Sequence, residues 1–299
     1  MIANFGGELA ALTAAFLWAW ATLIYSRVGK IIPPLEMNLI KGILAVSMLS
    51  LTLILRGSAF SAIEPLALGL LLLSGAVGIA LGDTAYFESL KWLGARRTLL
   101  VGILGPPLTG IVALIFLGEE LNLAAWSGIG LTMLGVAWVV TERIPDPLGE
   151  PDHLGRGLAF GLLAALAQAV GVVLSRAALV QTDVSPLWSS LLRLAGGILI
   201  LLVFLPLNRR PIGRWIKFEQ SQKLWGTLVF ATFAGTYLGI WLVQVSLKLT
   251  DAGIAQTLFA TSQLFVLPMA AVRGEKISFR AIAGACVALA GVGLLFAFK

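Results

Sequence analysis

Residues 78–95 read GIALGDTAYFESLKWLGA, and residues 235–252 read GTYLGIWLVQVSLKLTDA. Both stretches begin with two glycines four residues apart and continue to a Leu-Lys pair and then an alanine. The offset between them is 157 residues, and it becomes 156 at the later pairs Gly118-Glu119 and Gly274-Glu275. An echo at a nearly fixed offset across half a chain indicates a duplicated unit. The sequence therefore predicts two homologous halves.

The composition places the chain in a lipid bilayer. Of its 299 residues 59% are apolar and 12% are charged, whereas an average soluble domain carries about 25% charged residues. Ten apolar runs of about 20 residues, the length that crosses a hydrocarbon core, are separated by short polar breaks. The single cysteine, Cys286, excludes an intramolecular disulfide. These features predict an all-α polytopic membrane protein with no cofactor and no metal site.

We number the predicted spans one to ten in chain order: Leu9–Tyr25, Leu35–Leu55, Pro65–Trp92, Thr98–Leu117, Leu123–Thr141, Gly157–Leu174, Pro186–Leu207, Leu224–Lys248, Ala252–Val272 and Ile282–Phe298.

Five spans in each copy predict that the second copy is inverted, because an odd number of crossings starts it on the opposite face of the membrane. We expect ten transmembrane helices arranged as two inverted five-helix repeats, residues 1–141 and 156–299. The stretch 142–155 between them holds three prolines and the only histidine, His153. Its composition is typical of an exposed linker loop.

The basic residues test this topology independently. Fifteen of the 21 lysines and arginines fall on the face that carries the loops after spans one, three, five, seven and nine, and four fall on the opposite face. The remaining two, Lys41 and Arg193, lie inside spans. By the positive-inside rule the basic loops are cytoplasmic and both termini lie outside, which predicts a multi-pass protein of the cell membrane.

The segment 208–223 interleaves Arg209, Arg210, Arg214 and Lys217 with Trp215, Ile216 and Phe218. Such a pattern is typical of a stretch that lies on an anionic lipid leaflet. In a chain this apolar we expect the partner of these charges to be the bilayer and not a nucleic acid.

Span three combines small and charged residues. Its glycines Gly75, Gly78 and Gly82 predict a packing seam, because small residues let membrane helices approach closely. They are followed by Asp83 and Glu88, and a carboxylate inside a span normally faces a wet cavity or a partner.

Lys41 of span two lies at a depth similar to that of Asp83, so a Lys41 to Asp83 ion pair is the first candidate and Lys41 to Glu88 the second. Alternatively, Lys41 extends to the interface along its aliphatic stem, and Asp83 is protonated. Arg193 takes in span seven the place of Lys41 in span two. A cation in both copies indicates a shared structural role.

Prolines lie inside the fourth span of each copy. Gly105-Pro106-Pro107 removes the donors for the carbonyls of Gly102 and Ile103, and Pro268 in span nine does so for Leu264. Broken helices at mid-depth are where transporters often bind substrate, although a simple packed kink is the alternative. The fifth spans show N-cap signals at Asn122 and Ser278.

Aromatic and amide side chains lie at mid-depth in several spans. The tryptophans of span one lie deeper than the headgroup level at which membrane tryptophans usually gather, which indicates either a cavity or packing between helices. Tyr237, Trp241 and Gln244 follow a spacing of i, i+4, i+7 and share a helical face, as do Gln256 and Gln263. The candidate substrate-binding residues are Trp18, Trp20, Tyr86, Gln168, Tyr237, Trp241, Gln256 and Gln263.

The chain resembles the ten-span EamA proteins of the drug/metabolite transporter superfamily, including bacterial exporters of amino acids and other metabolites. The resemblance covers nearly the whole chain and is carried by Trp18 with Arg27, by Leu90-Lys91 with Gly94-Ala95, by the prolines of span four, by Gly118-Glu119 and Gly135-Val136, and by their counterparts in the second copy. It implies a secondary carrier with a central cavity lined by helices one, three, four, six, eight and nine. It also implies transport of small metabolites, often outward, by alternating access. Relatives commonly have cytoplasmic termini, whereas the charges of this chain predict the opposite.

Two functions from different classes remain at this stage. The first is a carrier of a small polar or amphipathic molecule, as a monomer or homodimer, with protons as one candidate coupling ion. The second is an intramembrane enzyme that acts on a lipid or a small substrate. The sequence offers no buried histidine, no G-x-S-x-G, no metal-ligand cluster and no P-loop, so it favours the carrier.

Overall fold

The computed structural model describes residues 5–28, 32, 34–57, 63–143, 154–204, 221–272 and 278–297. Within these ranges the protein contains helices and turns and no strand. Most of the predicted linker, including His153, and residues 208–220 of the basic segment lie outside the described residues.

The helices follow the predicted spans closely. In chain order they are Gly6–Val28; Pro34–Leu55; Pro65–Gly75, Ala76–Leu81 and Gly82–Gly102; Gly105–Leu117; Leu123–Arg143; Leu154–Gln181; Pro186–Phe204; Ser221–Ala231, Thr232–Leu238 and Gly239–Leu249; Ala252–Ala260 and Ser262–Val272; and Phe279–Ala297. Among the described residues, nine helical stretches are long and apolar enough to cross a membrane. Predicted span nine is the remaining one, and it is divided into two shorter helices. The all-α membrane fold is confirmed.

Spans three and four are joined by a bend and not by an irregular loop. The backbone stays helical from Gly82 to Gly102, yet the hydroxyl oxygens of Ser89 and Thr98 lie 3.3 Å apart. In a straight helix nine residues would separate them by about 13 Å along the axis. The chain therefore reverses direction between these two residues.

A π-helical segment interrupts the third span of each copy, at Ala76–Leu81 and at Thr232–Leu238. The two segments lie at equivalent places, since position 76 plus the repeat offset of 157 is 233. No residue pattern in the sequence predicts them. Such segments often lie at functional sites because they shift the side chains that follow by part of a turn.

The predicted N-caps of the fifth spans are confirmed. Asn122 Oδ1 accepts a hydrogen bond of 2.8 Å from the backbone N–H of Ala125. Ser278 Oγ accepts one of 3.1 Å from the N–H of Ala281. Each side chain satisfies a donor that the first helical turn leaves without a partner inside the helix.

Spans five and ten pack closely against each other in antiparallel fashion. A Cβ added to Gly135 would clash with the carbonyl of Gly284, and one added to Gly128 would lie 3.0 Å from the carbonyl of Gly291. At the repeat offset of 156, Gly284 is the counterpart of Gly128 and Gly291 that of Gly135. Each of the two glycines of span five therefore meets the counterpart of the other one. This is the pattern expected when a two-fold axis perpendicular to both helices relates them. An axis in the membrane plane relates the repeats, as inversion requires.

The other contacts between the halves follow the same pseudo-symmetry. Gly78 of span three packs against Gly171 of span six, and its counterpart Gly235 of span eight packs against Ala21 of span one. Close helix packing at the repeated glycine is therefore confirmed at Gly78 and at Gly235. At Gly239 an added Cβ would contact only its own helix, at 3.6 Å, so the second glycine of span eight does not serve close approach. Each repeat thus inserts its first span between elements of the other repeat.

Candidate functional site

A cavity of about 540 Å³ lies between the two repeats. Spans one to six and span nine supply its lining residues. The resemblance implied that span eight lines the cavity. In the structure none of the described residues of span eight lines the cavity, whereas spans two and five do contribute.

The cavity occupies the half of the protein nearest the basic loops. Tyr25, Asn38 and Thr98, which line it, lie at the ends of spans one, two and four that join those loops. Trp18 and Gln168 line its deeper part near the middle of their spans. The site is therefore approached from the face that carries the basic loops.

A cation and a carboxylate face each other across this cavity. Lys41 Nζ lies 5.5 Å from the ring centroids of both Trp18 and Tyr25, a distance at which the ring faces attract an ammonium group. Asp83 Oδ1 accepts a hydrogen bond of 3.3 Å from Gln168 Nε2. Lys41 and Asp83 both line the cavity. Lys41 therefore does not extend to the interface, because it is held between two aromatic rings inside the cavity.

The predicted direct ion pairs of Lys41 are not formed. Lys41 is not among the ion pairs within 4.0 Å between described side chains, which include those of Arg176 with Glu119 and Asp251. Glu88 instead accepts a hydrogen bond of 3.2 Å from Trp92 Nε1, one turn along the same helix. Lys41 and Asp83 thus share a cavity without forming a salt bridge, and Glu88 is not part of its lining.

The two mid-depth tryptophans point in different directions. Trp18 lines the cavity, and its ring centroid lies 6.1 Å from that of Phe259. Trp20 packs edge to face on Phe230 at 5.0 Å, outside the cavity. The physical reason is helical geometry, since two residues turn a helix by about 200°.

Tyr237 and Trp241 form a second aromatic site outside the cavity. The hydroxyl groups of Tyr237 and Thr52 lie 2.8 Å apart, and the guanidinium of Arg56 lies 5.2 Å from the ring centroid of Trp241. The predicted binding roles of the two aromatic residues therefore do not apply to this cavity. Inversion places the second half of span eight toward the face opposite the basic loops, whereas the equivalent half of span three reaches the cavity.

Arg193 also lies outside the cavity. Its side chain is buried, and Nη1 donates to Ser175 Oγ at 3.0 Å and to the carbonyl of Gly171 at 3.4 Å. A Cβ added to Gly78 would lie 3.2 Å from Nη2, so the guanidinium fits beside the close crossing of spans three and six.

The remaining predicted residues, Tyr86, Gln256 and Gln263, do line the cavity. Gln263 Oε1 is a buried acceptor with no hydrogen-bond partner in the structure. It lies just beyond the break of span nine at Thr261. An unsatisfied amide oxygen next to a cavity is available to a ligand.

Both fourth spans are broken at equivalent places. Span four is interrupted at Ile103-Leu104, and 104 plus 157 is 261, the break in span nine. Pro106 and Pro107 lie in the first turn after the break, where a missing N–H costs little. Pro268, in contrast, lies inside the helix Ser262–Val272, away from the break at Thr261.

Sequence reasoning missed several lining residues: Thr22, Tyr25, Asn38, Phe87 and Phe259. Helical spacing could have found most of them. Tyr25 is seven residues after Trp18, Asn38 three before Lys41 and Phe87 four after Asp83, and each spacing returns a side chain to the same helical face.

A charged network, which we call the Arg176 latch (Arg176, Glu119, Asp251), lies at the opposite face. Arg176 Nε donates to Glu119 Oε1, Nη2 lies 3.5 Å from Asp251 Oδ1, and Nη1 donates to the carbonyl of Leu247 at 2.6 Å. Glu119 Oε2 accepts from the N–H of Ala252 at 2.9 Å. The latch joins the loop after span four, span six and the loop after span eight.

In the part of the chain that the structure describes, no three His, Cys, Asp or Glu side chains are grouped as metal ligands.

Comparisons with known proteins agree with this architecture. A solved crystal structure of another protein superimposes on the chain with a TM-score of 0.77 at 18% sequence identity, covering 97% of this chain and 96% of the other. At this identity the likeness shows the fold alone. A search of curated proteins finds no match. The model of the EamA-like transporter family matches the chain twice, over residues 5–141 and 155–297. The protein therefore belongs to the EamA-like transporter family, a family of membrane transporters of the drug/metabolite type.

Proposed function

We propose that the protein is a secondary transporter that exports small metabolites, such as amino acids, by alternating access. The observation that carries the proposal is the one-sided cavity. It reaches the middle of the protein from the basic-loop face, while the Arg176 latch lies at the other face. A site that is accessible from one face at a time is what a carrier needs in order to move a solute without a continuous pore.

The inverted repeats provide a route to the second access state. The axis near spans five and ten relates two halves of similar structure, so the halves can exchange conformations by rocking. That exchange would close the cavity at the basic-loop face and open an equivalent one at the other.

The lining suits an amphipathic solute with charged groups. Lys41 and Asp83 can pair with a carboxylate and an ammonium group, and Gln168, Gln256 and Gln263 can orient them by hydrogen bonds. Trp18, Tyr86 and Phe259 can cover an apolar side chain. An amino acid with a large side chain has this combination of groups.

Counterflow in proteoliposomes tests the activity. Vesicles loaded with a concentrated unlabelled amino acid are diluted into a trace of the labelled one, and a carrier concentrates the label transiently. We expect accumulation for at least one amino acid with an apolar or aromatic side chain, and none in protein-free vesicles. Correctly folded protein that accumulates no member of the amino-acid set would contradict the amino-acid proposal.

We place the basic loops in the cytoplasm, so that the cavity faces the cytoplasm in this conformation. Thr22 lines the cavity, and Cys286 is exposed. In a Cys286→Ser background, Thr22→Cys should react with a membrane-impermeant maleimide in inside-out vesicles and far more slowly in intact cells. The reverse order would place the basic loops outside.

For the coupling ion we propose a proton carried by Asp83. This carboxylate is the acidic side chain among the cavity-lining residues. When the halves rock, its surroundings change from an accessible cavity to the sealed interior of the protein. Facilitated diffusion, in which Asp83 only orients Gln168, is the competing mechanism.

A further inference from the structure

Lys41 and Arg193 hold equivalent places in the two repeats. Each is the seventh residue after the proline that begins its helix, Pro34 in span two and Pro186 in span seven. At 1.5 Å per residue, each lies about 10 Å from that helix end. Because the repeats are inverted, the two ends are at opposite faces of the membrane. The two cations therefore approach the middle of the protein from opposite sides.

Their surroundings in this conformation differ. Lys41 lines the cavity, whereas Arg193 is 8% exposed and donates to Ser175, the residue before Arg176 of the latch. The hydrogen bonds of Arg193 to described residues all go to neutral oxygens, those of Ser175 and Gly171. A buried guanidinium that no carboxylate contacts directly is costly.

Arg193 belongs to what we call the sealed polar cluster: Ser74, Ser175, Ser189, Arg193 and Gln244. The hydroxyls of Ser74 and Ser175 lie 2.9 Å apart, and Gln244 Nε2 donates to Ser175 Oγ at 3.3 Å. Gln244 Oε1 and Ser189 Oγ are fully buried and have no partner in the structure. Ser189 is one turn before Arg193 on the same helical face.

Gln244 is the member of this cluster that span eight supplies. Its position in the repeat is equivalent to that of a cavity-lining residue of span three. At the repeat offset of 157, Gln244 is the counterpart of Phe87, which lines the cavity. The cluster is therefore positioned as the lining of a second half-site that is collapsed in this conformation. Exposure to water or to a ligand would satisfy its unpaired groups.

The charges of the two half-sites are unequal. Asp83 lines the cavity together with Lys41, and its partner Gln168 lies near Arg193, since a Cβ added to Gly78 would be 3.6 Å from Gln168 Oε1 and 3.2 Å from Arg193 Nη2. The counterpart of Asp83 in the second repeat is Ile240. These groups therefore comprise two cations and one carboxylate, an excess of one positive charge. A solute that brings one negative group compensates it.

We propose that Arg193 is the anion-binding residue of the transport site when the site opens to the face opposite the basic loops, as Lys41 is in this conformation, and that the transported solute carries a carboxylate. The carboxylate passes from Lys41 to Arg193 during the exchange of access, and Asp83 remains as counter-ion of the cation that is not occupied. This inference rests on the proposed function. An ammonium group on the solute is not required by it.

A series of four probes with one aromatic body and different head groups tests the solute class. The probes are 3-phenylpropanoate, L-phenylalanine, 2-phenylethylamine and 3-phenylpropan-1-ol, and the readouts are thermal stabilisation of the purified protein and counterflow in proteoliposomes. We expect the two carboxylates to bind at least tenfold more tightly than the amine and the alcohol. Equal or tighter binding of the amine or the alcohol overturns the inference, as does binding of none of the four.

Substitutions at Arg193 test the transfer. Arg193→Met should bind 3-phenylpropanoate from the cavity within about twofold of the wild type, yet lose at least tenfold in counterflow, because the second half-site no longer holds the anion. Arg193→Lys should retain most of the counterflow. Arg156→Met, which removes an exposed arginine that lies over Trp92, is the matched control and should exchange normally.

The outcomes separate this inference from the proposed function. Normal counterflow by Arg193→Met overturns the role of Arg193 while the carrier assignment stands. The role is also overturned if Arg193→Met and Arg193→Lys lose probe binding, counterflow and probe-free thermal stability together, which indicates a structural arginine. Wild-type counterflow of the amine or the alcohol alone supports a carrier but overturns the carboxylate. If neither the four probes nor any amino acid is exchanged, the proposed function itself fails.

Discussion

Thr132 donates a hydrogen bond of 3.4 Å to the carbonyl of Ala288, and these two residues are each other's counterpart in the repeats, since 132 plus 156 is 288. A residue can meet its own counterpart only at a symmetry axis. The pseudo-two-fold axis of the protein therefore passes between spans five and ten at this contact. The two halves meet there through backbone and small side chains.

Because the two helices pack closely at this axis, we expect a larger side chain there to lower the stability of the protein. Gly135→Ala should destabilise the protein by about 1–3 kcal/mol, the usual cost of overpacking, because the new Cβ would clash with the backbone of Gly284 and Ala288. Thermal unfolding in detergent measures the change. Gly130→Ala on the same helix is the matched control, as its Cβ meets nothing within 4 Å. An equal response of the two variants would argue against a tight seam.

The two tryptophans of span one provide a second test. Trp18→Ala should weaken binding of L-phenylalanine by about tenfold or more, since the indole lines the cavity and lies over Lys41. Trp20→Ala, which removes a contact with Phe230, should leave the dissociation constant within about twofold. Isothermal titration of the purified variants gives both constants. A larger effect at Trp20 would place the site outside the cavity described above.

The Arg176 latch should control access from the opposite face. Glu119→Gln leaves the guanidinium of Arg176 without its close carboxylate, so we expect this face to open more often. Ser189→Cys, in a Cys286→Ser background, reports the opening, because Ser189 is fully buried and its hydroxyl has no partner. The rate of maleimide labelling should rise at least threefold with Glu119→Gln. The neighbouring, exposed Glu120→Gln should leave it unchanged, and an unaltered rate in both variants would exclude a gating role.

Removal of the acid at position 83 tests proton coupling. Asp83→Asn keeps an acceptor for Gln168 but cannot carry a proton, so uptake into proteoliposomes should stop responding to a pH gradient while counterflow persists. Asp183→Asn, in the exposed turn before span seven, is the control and should behave as wild type. A normal response to the gradient in Asp83→Asn would leave facilitated diffusion as the mechanism.

The fold could be predicted largely because its determinants are local or periodic. Hydropathy gave the spans, the helix-capping residues Asn122 and Ser278 gave helix starts, and the repeated glycines gave the seams. The π-helical segments were missed because no single residue type encodes them. The break in span nine was not predicted because Thr261, where it lies, carries no local signal such as a proline.

The site was predicted only in part. Trp18, Lys41, Asp83, Tyr86, Gln168, Gln256 and Gln263 line one cavity. Trp20 could have been excluded by its two-residue spacing from Trp18. Tyr237 and Trp241 could not, because the sequence does not show which half of each span the cavity reaches, and their half of span eight lies toward the face opposite the basic loops.

The replacement of Asp83 by Ile240 in the second repeat has a kinetic consequence. If the two halves were identical, the empty carrier would populate its two access states equally. Because the halves carry different charges, one access state is favoured. The half-saturation concentration of a solute should then differ between the two sides of the membrane. For transport that is not coupled to an ion gradient, the Haldane relation requires the maximal rates in the two directions to differ by the same ratio, so the carrier rectifies initial flux without changing the final equilibrium.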